Sequence, residues 1–173
     1  MKNKKLILLV SVVLIIIVIL LIENLLFKPK EGLGLQNFNE VRGTEIGNKA
    51  PDFTLETPEG QVMRLSQFEG KKAAIINFWA SWCPYCLDEM PTLQRIMDEN
   101  KDLVILGINL QESPKLSREF ANEVGARFPI LLDKDAQIKN TYGVRTLPVS
   151  YFIDKNGVIK DVKFGPLTEQ ELN

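Results

Sequence analysis

Residues 78–86 read Phe-Trp-Ala-Ser-Trp-Cys-Pro-Tyr-Cys, and this stretch contains the only two cysteines of the 173-residue chain. Cys83 and Cys86 are separated by two residues, which places them about one helical turn apart. Two thiols on the first turn of a helix can close a small disulfide without moving the backbone. The spacing therefore predicts a reversible redox pair.

The segments on both sides of the pair predict a strand followed by a helix. Residues 73–79 form an apolar run of strand length. After the pair, apolar residues recur at helical spacing: Leu87, Met90, Leu93, Ile96 and Met97. Pro91 lies inside this predicted helix, and we expect a kink there rather than an end because the apolar stripe continues beyond it.

The position at the start of the helix predicts different roles for the two thiols. The unpaired backbone N–H groups and the helix dipole stabilise a thiolate at Cys83, which we therefore expect to be the nucleophile. Cys86 lies one turn further along and is shielded by the helix, so we expect it to be the resolving thiol. Pro84 suits the first helical position, where its missing N–H costs nothing.

Two other uses of the cysteines are less well supported. A structural disulfide that closes so small a loop would contribute only about 2 kcal/mol. A structural zinc site usually needs four protein ligands, and the chain has no histidine and only two cysteines. We therefore expect no cofactor besides a redox-active Cys83–Cys86 disulfide.

The N-terminus predicts a membrane anchor. Leu6 to Ile22 is an unbroken apolar run in which Ser11 is the only polar side chain, and Leu25–Phe27 can extend it. We predict a transmembrane helix over residues 6–27, with residues 1–5 and their three lysines in the cytoplasm. The alternative is a cleaved signal peptide, but no small-residue cleavage site follows the run.

The residues after the predicted anchor are expected to form one domain outside the cytoplasm. Residues 28–46 are mixed in composition and predict a tether, and residues 47–173 predict the domain. Residues 1–30 hold five lysines and one glutamate, so the rest of the chain carries a net charge of −5. That balance argues against a nucleic-acid-binding protein.

The sequence of the domain predicts a β-hairpin, followed by strands and helices in the order β, α, β, α, β, α, β, β. The hairpin is expected around Pro58-Glu59-Gly60, and Asn156-Gly157 predicts a second hairpin turn. The predicted strands are residues 73–79, 103–108, 128–132, 149–153 and 158–164, and the predicted helices begin near Cys83 and span residues 117–124 and 134–142. A short C-terminal helix is predicted from Thr168.

These motifs together resemble the thioredoxin superfamily, and within it the membrane-anchored TlpA/ResA-like thiol-disulfide oxidoreductases. The resemblance rests on residues 78–86, on Pro91, on Thr146-Leu147-Pro148 and on the opening Ala-Pro-Asp-Phe-Thr-Leu at residues 50–55. It extends roughly from Gly47 to Phe164. It implies an α/β thioredoxin-like fold with an N-terminal β-hairpin extension.

The resemblance also implies a substrate-binding surface. Pro148 is expected to follow a cis peptide bond beside the cysteine pair, and the backbone of Leu147 is expected to hydrogen-bond the substrate. We expect Trp82, Pro84 and Tyr85 to contact substrate as well. Because Pro84 and Tyr85 differ from the Gly-Pro of thioredoxins, the sequence leaves the redox potential and the direction of electron flow open.

Glu89 is the candidate proton acceptor for Cys86. Cytoplasmic thioredoxins carry a buried aspartate where this chain has Asn77, and the resembling membrane-anchored group has a glutamate at the position of Glu89. Glu89 follows Cys86 by three residues and therefore lies on an adjacent part of the same helix face. The alternative is a solvated surface glutamate.

The resemblance implies an extracytoplasmic protein-disulfide reductase that acts on exported cysteine-containing proteins. Apocytochrome c is one candidate substrate, and a membrane thiol-transfer protein is the expected electron donor.

Two other functions fit the same fold less well. A peroxiredoxin-like thiol peroxidase would keep threonine or serine three residues before its reactive cysteine, where this chain has Ala80. A copper-delivery module would pair CxxxC with a distant histidine, and the sequence has neither.

Overall fold

The computed structural model describes residues 43–168, together with Leu14 and Ile16. Within the described residues, no helix is long and apolar enough to cross a membrane. The predicted anchor over residues 6–27 lies outside them apart from Leu14 and Ile16. The predicted cytoplasmic segment, most of the predicted tether and the end of the predicted C-terminal helix also lie outside the described residues.

A seven-stranded mixed sheet forms the centre of the second of the chain's two units, Glu40–Asn173. Its strands are β1 (Thr54–Glu56), β2 (Val62–Arg64), β3 (Ala73–Trp79), β4 (Leu103–Leu110), β5 (Ile130–Asp133), β6 (Val149–Ile153) and β7 (Ile159–Phe164). Across the sheet they lie in the order β2-β1-β5-β4-β3-β6-β7. Strands β3, β4 and β5 are parallel, and β6 pairs antiparallel with β3.

Helices cover both faces of this sheet. Helices α1 (Pro84–Glu99) and α2 (Pro114–Glu123) pack on one face, while α3 (Gln137–Thr141) and the 3-10 helix Leu65–Phe68 pack on the other. The β1–β2 hairpin precedes the repeating strands and helices. The order of the elements confirms the predicted α/β thioredoxin-like fold with an N-terminal hairpin.

Two helices begin or end at other residues than predicted, and hydrogen bonds at their amino ends explain the difference. Helix α2 begins at Pro114, three residues earlier than expected, because the hydroxyl of Ser113 accepts a hydrogen bond from the Leu116 N–H at 3.2 Å. Helix α3 is shorter than the predicted span of residues 134–142. The buried carboxylate of Asp133 accepts hydrogen bonds from the backbone N–H groups of Ile138 and Lys139 and so fixes its first turn.

Strand β5 also begins two residues later than predicted. The backbone N–H groups of Arg127 and Phe128 donate to the side-chain oxygen of Gln94 on α1, at 2.6 and 2.9 Å. These donors are therefore satisfied by a helix side chain rather than by a neighbouring strand. The same two hydrogen bonds join α1 to the segment just before β5.

The alternation of side chains along β3 divides the core into two clusters. Ala74, Ile76 and Phe78 belong to the cluster under α3, whereas Ile75 and Trp79 belong to the cluster under α1 and α2. The second cluster includes both cysteines. The reactive pair is thus placed where β3 ends and α1 begins, at the carboxyl edge of the parallel strands.

Candidate active site

Cys83 is the N-cap residue of α1, and Pro84 occupies the first helical position, as predicted. The backbone N–H of Cys83 donates to the carbonyl of Ala80 at 3.1 Å, and that of Cys86 donates to the carbonyl of Cys83 at 3.1 Å. The two cysteines form a disulfide, with their Cα atoms 5.4 Å apart. The tight turn after β3 therefore brings both sulfurs to the amino end of the helix.

Both cysteines are buried in the disulfide form, and Cys83 is slightly less so than Cys86. Cys83 is 3% exposed and Cys86 is fully buried. Their neighbours in the loop are open, since Trp82 is 70% exposed and Tyr85 is 61% exposed. Two exposed aromatic side chains thus flank the less buried cysteine, Cys83.

A buried polar network is built around Glu89, which follows Cys86 by three residues on α1. The Asn77 side-chain amide donates to one carboxylate oxygen of Glu89 at 2.7 Å and to the hydroxyl of Ser150 at 3.0 Å. The backbone N–H of Leu167 donates to the other carboxylate oxygen of Glu89 at 2.9 Å. Glu89 is thus held from β3 and from the segment after β7, although it belongs to α1.

Burial controls the ionisation of Glu89. The residue is 1% exposed, which contradicts the alternative of a solvated surface glutamate. Loss of hydration raises the pKa of Glu89 from 4.5 to about 7, and the hydrogen bonds from Leu167 and Asn77 oppose part of that rise. Glu89 therefore changes its protonation state near neutral pH, where it can accept and release a proton.

The peptide bond between Leu147 and Pro148 is cis, as the resemblance implied. Leu147 is half-buried and packs against both core clusters, including the one that holds the cysteines. Within residues 43–168, no other backbone group hydrogen-bonds the backbone of Leu147. The structure thus places an open stretch of backbone beside the cysteine pair.

Glu112 is a residue of this site that the sequence analysis missed. Its carboxylate accepts hydrogen bonds from the backbone N–H and the hydroxyl of Ser81, at 3.0 and 2.5 Å, and from the side-chain amide of Asn109 at 2.6 Å. It therefore connects the loop after β4 to the loop that carries the cysteines. A polar residue just after a parallel strand is a sequence signal that could have identified it, since ligands and catalytic groups collect at that edge.

Gly107 is a second residue whose role near the site the sequence analysis missed. A Cβ atom at this position would lie 2.8 Å from Phe128 and 3.1 Å from the indole nitrogen of Trp79. Gly107 pairs with Asn77 in the β3–β4 ladder. The glycine therefore leaves the space in which Trp79 and Phe128 pack behind the active-site loop.

Residues 46–162 match the model of the AhpC/TSA family. The chain is 38% identical to the thiol-disulfide oxidoreductase ResA of Geobacillus thermodenitrificans, over 78% of each protein. It is also 38% identical to the thioredoxin-like protein YneN of Bacillus subtilis, over 75% of this chain and 78% of that protein.

Solved structures agree with these sequence relatives. StoA of Bacillus subtilis superposes with a TM-score of 0.61 and 28% identity, over 70% of this chain and 93% of that one. A secreted Mycobacterium tuberculosis disulfide oxidoreductase, homologous to DsbE of E. coli, superposes with a TM-score of 0.63 and 26% identity. The match covers 69% of this chain and 90% of that one.

Proposed function

This chain belongs to the AhpC/TSA family and is a thiol-disulfide oxidoreductase, and from this premise we propose that it reduces disulfide bonds of exported proteins through Cys83 and Cys86. The observation that carries the proposal is the disulfide at the amino end of α1 above a buried carboxyl group. That arrangement combines a nucleophile, a resolving thiol and a proton acceptor.

In the first step, the thiolate of reduced Cys83 attacks one sulfur of the substrate disulfide. A Cys83–substrate mixed disulfide forms, and the other substrate sulfur leaves as a thiolate that takes a proton from solvent. The N–H groups at the amino end of α1 stabilise the negative charge on Cys83 before the attack. Cys83 has this role because it is the N-cap residue of α1 and is the less buried member of the pair.

In the second step, Cys86 attacks the sulfur of Cys83 and releases the second substrate thiolate. Glu89 takes the proton of the Cys86 thiol, and the released substrate thiolate is protonated in turn. Two electrons have then passed from the protein to the substrate, and the Cys83–Cys86 disulfide is restored. An external dithiol must reduce it again, for which we propose a membrane thiol-transfer protein.

Substrate binding uses the surface around Cys83. The open backbone at Leu147, before Pro148, pairs with an extended substrate segment as an added strand. Trp82, Pro84 and Tyr85 are exposed and contact the flanking side chains of the substrate. Apocytochrome c is the substrate that we propose to test first.

We place the domain outside the cytoplasm, held by a single transmembrane helix over residues 6–27. The apolar run at Leu6–Ile22 and the lysines before it support this topology. A membrane-impermeant maleimide tests it in intact protoplasts after mild reduction. Labelling of Cys83 before lysis is expected, and labelling only after lysis would contradict it.

The redox function is tested with the reduced full chain and a protein disulfide substrate. We expect Cys83→Ser to abolish reduction and Cys86→Ser to accumulate a covalent Cys83–substrate adduct, seen on non-reducing gels. Lys101→Ala, at an exposed position of the turn before β4, serves as the control that retains both thiols and the active-site loop. If neither reduction nor the adduct is observed, the proposed function is wrong.

The role of Glu89 is tested by the pH dependence of the second step. Above a pH of about 7 the carboxylate is free to accept the proton of Cys86, so the rate of adduct resolution should rise through that value. Glu89→Gln should slow resolution by about 100-fold and remove this rise. Equal resolution rates in both proteins would assign Glu89 a structural role only.

Peroxide consumption separates this function from that of a thiol peroxidase. With Ala80 in place of a hydroxyl-bearing residue, we expect the reduced chain to consume hydrogen peroxide far more slowly than it reduces a protein disulfide. Rapid oxidation of Cys83 by peroxide would favour the peroxidase.

A further inference from the structure

A groove of about 410 Å³ opens beside the cysteine pair, and its cationic side chains have no part in the steps above. Its apolar lining comes from Trp82, Leu110, Val144 and Leu147. The polar lining comes from two cations, Lys139 and Arg145, and from the neutral side chains of Gln111 and Thr146. Trp82 directly precedes Cys83, and Leu147 directly precedes Pro148. A substrate segment held between Cys83 and the backbone of Leu147 therefore lies against this groove.

The fold brings the two cations together. The Lys139 N–H donates to the buried carboxylate of Asp133 at 2.8 Å, which fixes the start of α3. The N–H of Val144 donates to the carbonyl of Lys139 at 3.0 Å. The turn that carries Arg145 is thereby joined to the turn that carries Lys139, and both residues face the same groove.

Neither cation forms a salt bridge with a carboxylate of residues 43–168. The acidic groups close to Lys139 along the chain or next to the groove residue Gln111 already accept hydrogen bonds, and Asp135, four residues before Lys139, accepts that of the Gln137 N–H at 3.3 Å. Glu112 accepts hydrogen bonds from Ser81 and Asn109, and Asp133 accepts those of α3. The groove thus offers two available positive charges on a domain whose net charge is negative.

We propose that this groove selects disulfide substrates that carry an aspartate or glutamate within a few residues of the cysteine attacked by Cys83. The carboxylate pairs with Lys139 and Arg145, and an apolar neighbour occupies the lining formed by Trp82, Leu110, Val144 and Leu147. This specificity rests on the proposed function, since it concerns the substrate of the same cysteine pair.

Three peptide disulfides test the selection. They share one length and one apolar residue and differ at a single flanking position, which is Glu, Gln or Lys. The second-order rate constant for reduction by the reduced full chain should fall in that order. We expect a difference of about 10-fold between the Glu and Lys peptides at low ionic strength, decreasing in high salt, because exposed ion pairs are weak and screened.

The double variant Lys139→Glu/Arg145→Glu should invert the order, so that the Lys peptide becomes the fastest substrate. Because this outcome is a gain of activity, it also shows that the variant is folded. The control is Lys71→Glu/Lys101→Glu, which changes the net charge equally just before β3 and β4, at the opposite edge of the sheet. It should keep the wild-type order.

Two negative results have different meanings. If all three peptides are reduced at equal rates, or if the control inverts the order as well, the groove does not select charge while the proposed function stands. If the Gln peptide and the other two are not reduced at all, the proposed function fails and the specificity fails with it.

Discussion

Phe78 and Asn77 are neighbours on β3, and their side chains lie on opposite faces of the sheet. The face of Phe78 is mostly apolar, and its buried polar groups are tyrosine hydroxyls that donate to backbone carbonyls, as Tyr151 does to Tyr142 at 2.6 Å, and the carboxylate of Asp133, which accepts hydrogen bonds from the N–H groups of Ile138 and Lys139. The face of Asn77 buries an amide, a hydroxyl and the carboxyl group of Glu89 below the cysteines. The face of Phe78 supplies most of the apolar packing, whereas the face of Asn77 holds the carboxyl group of Glu89, whose pKa burial raises to about 7.

This difference separates what stabilises the fold from what makes it respond to pH. Apolar side chains that are buried contribute the same free energy at any pH. A buried carboxyl group costs more when it is ionised than when it is neutral. The first face should therefore set the free energy of unfolding, and the second should set how that free energy depends on pH.

The largest expected effect on the free energy of unfolding comes from Phe78, on the mostly apolar face of the sheet. Phe78 is fully buried against the rings of Tyr142 and Tyr151, at centroid distances of 5.5 and 6.1 Å. Phe78→Ala should lower the free energy of unfolding by about 3–5 kcal/mol, because it leaves a cavity in this cluster. Urea unfolding of the reduced protein at several pH values measures the loss, which should be equal at each pH.

Phe78→Leu provides a milder control if the alanine variant does not fold. It fills much of the same space and should cost about half as much or less. Its pH dependence should match that of the wild type. A pH dependence altered by either substitution would mean that the two faces are not independent.

The second prediction concerns Glu89 and the pH dependence of stability. In the unfolded chain its pKa is 4.5, and in the folded protein burial raises it to about 7. Between these values the folded state holds more protons than the unfolded state, so stability falls as pH rises from about 4.5 to 7. Glu89→Gln lacks this group, and the wild type should lose about 3 kcal/mol relative to it over that range.

Asp88→Asn is the matched control for this measurement. Asp88 precedes Glu89 on the same helix but is exposed. Its substitution removes one carboxyl group and should leave the fall in stability between pH 4.5 and 7 as in the wild type. Loss of that fall in Asp88→Asn would mean that Glu89 is not its source.

The sequence predicted those parts of the site that depend on residues close together in the chain. Cys83, Cys86 and Pro84 lie in one turn, and their place at the start of a helix follows from the apolar strand before them. Glu89 follows Cys86 by three residues, so the helical period placed it on an adjacent part of the helix face. The order of strands and helices was also predicted, because the buried strands appear as short apolar runs and the helix after Cys83 has apolar residues at helical spacing.

The rest of the site depends on contacts between distant residues. Leu167 lies 78 residues from Glu89, Ser150 lies 73 residues from Asn77, and Glu112 lies 31 residues from Ser81. No local pattern indicates such partners, since they are set by the strand order and register. For the same reason, the proximity of Lys139 and Arg145 to Trp82 could be read only from the fold.

The third prediction separates the side chain of Leu167 from its backbone. Leu167→Pro removes the N–H that donates to Glu89, so the pKa of Glu89 should rise further, by about one unit. The midpoint of the rate of adduct resolution would move to higher pH by the same amount. Leu167→Ala keeps the N–H and should leave the midpoint in place, although it removes a buried side chain. Equal midpoints in the two variants would show that the hydrogen bond does not influence Glu89.

The smallest effect is expected at Glu112, which touches the active-site loop but not Glu89. Glu112→Gln keeps the shape of the side chain and weakens the hydrogen bonds to Ser81 and Asn109, so the free energy of unfolding should fall by about 1 kcal/mol. The midpoint of adduct resolution should stay near the wild-type value, because the buried network is unchanged. Glu119→Gln, at an exposed position of α2, should change stability by less than about 0.5 kcal/mol. A shifted midpoint in Glu112→Gln would show that the pH response is set by the loop as well as by the polar face of the sheet.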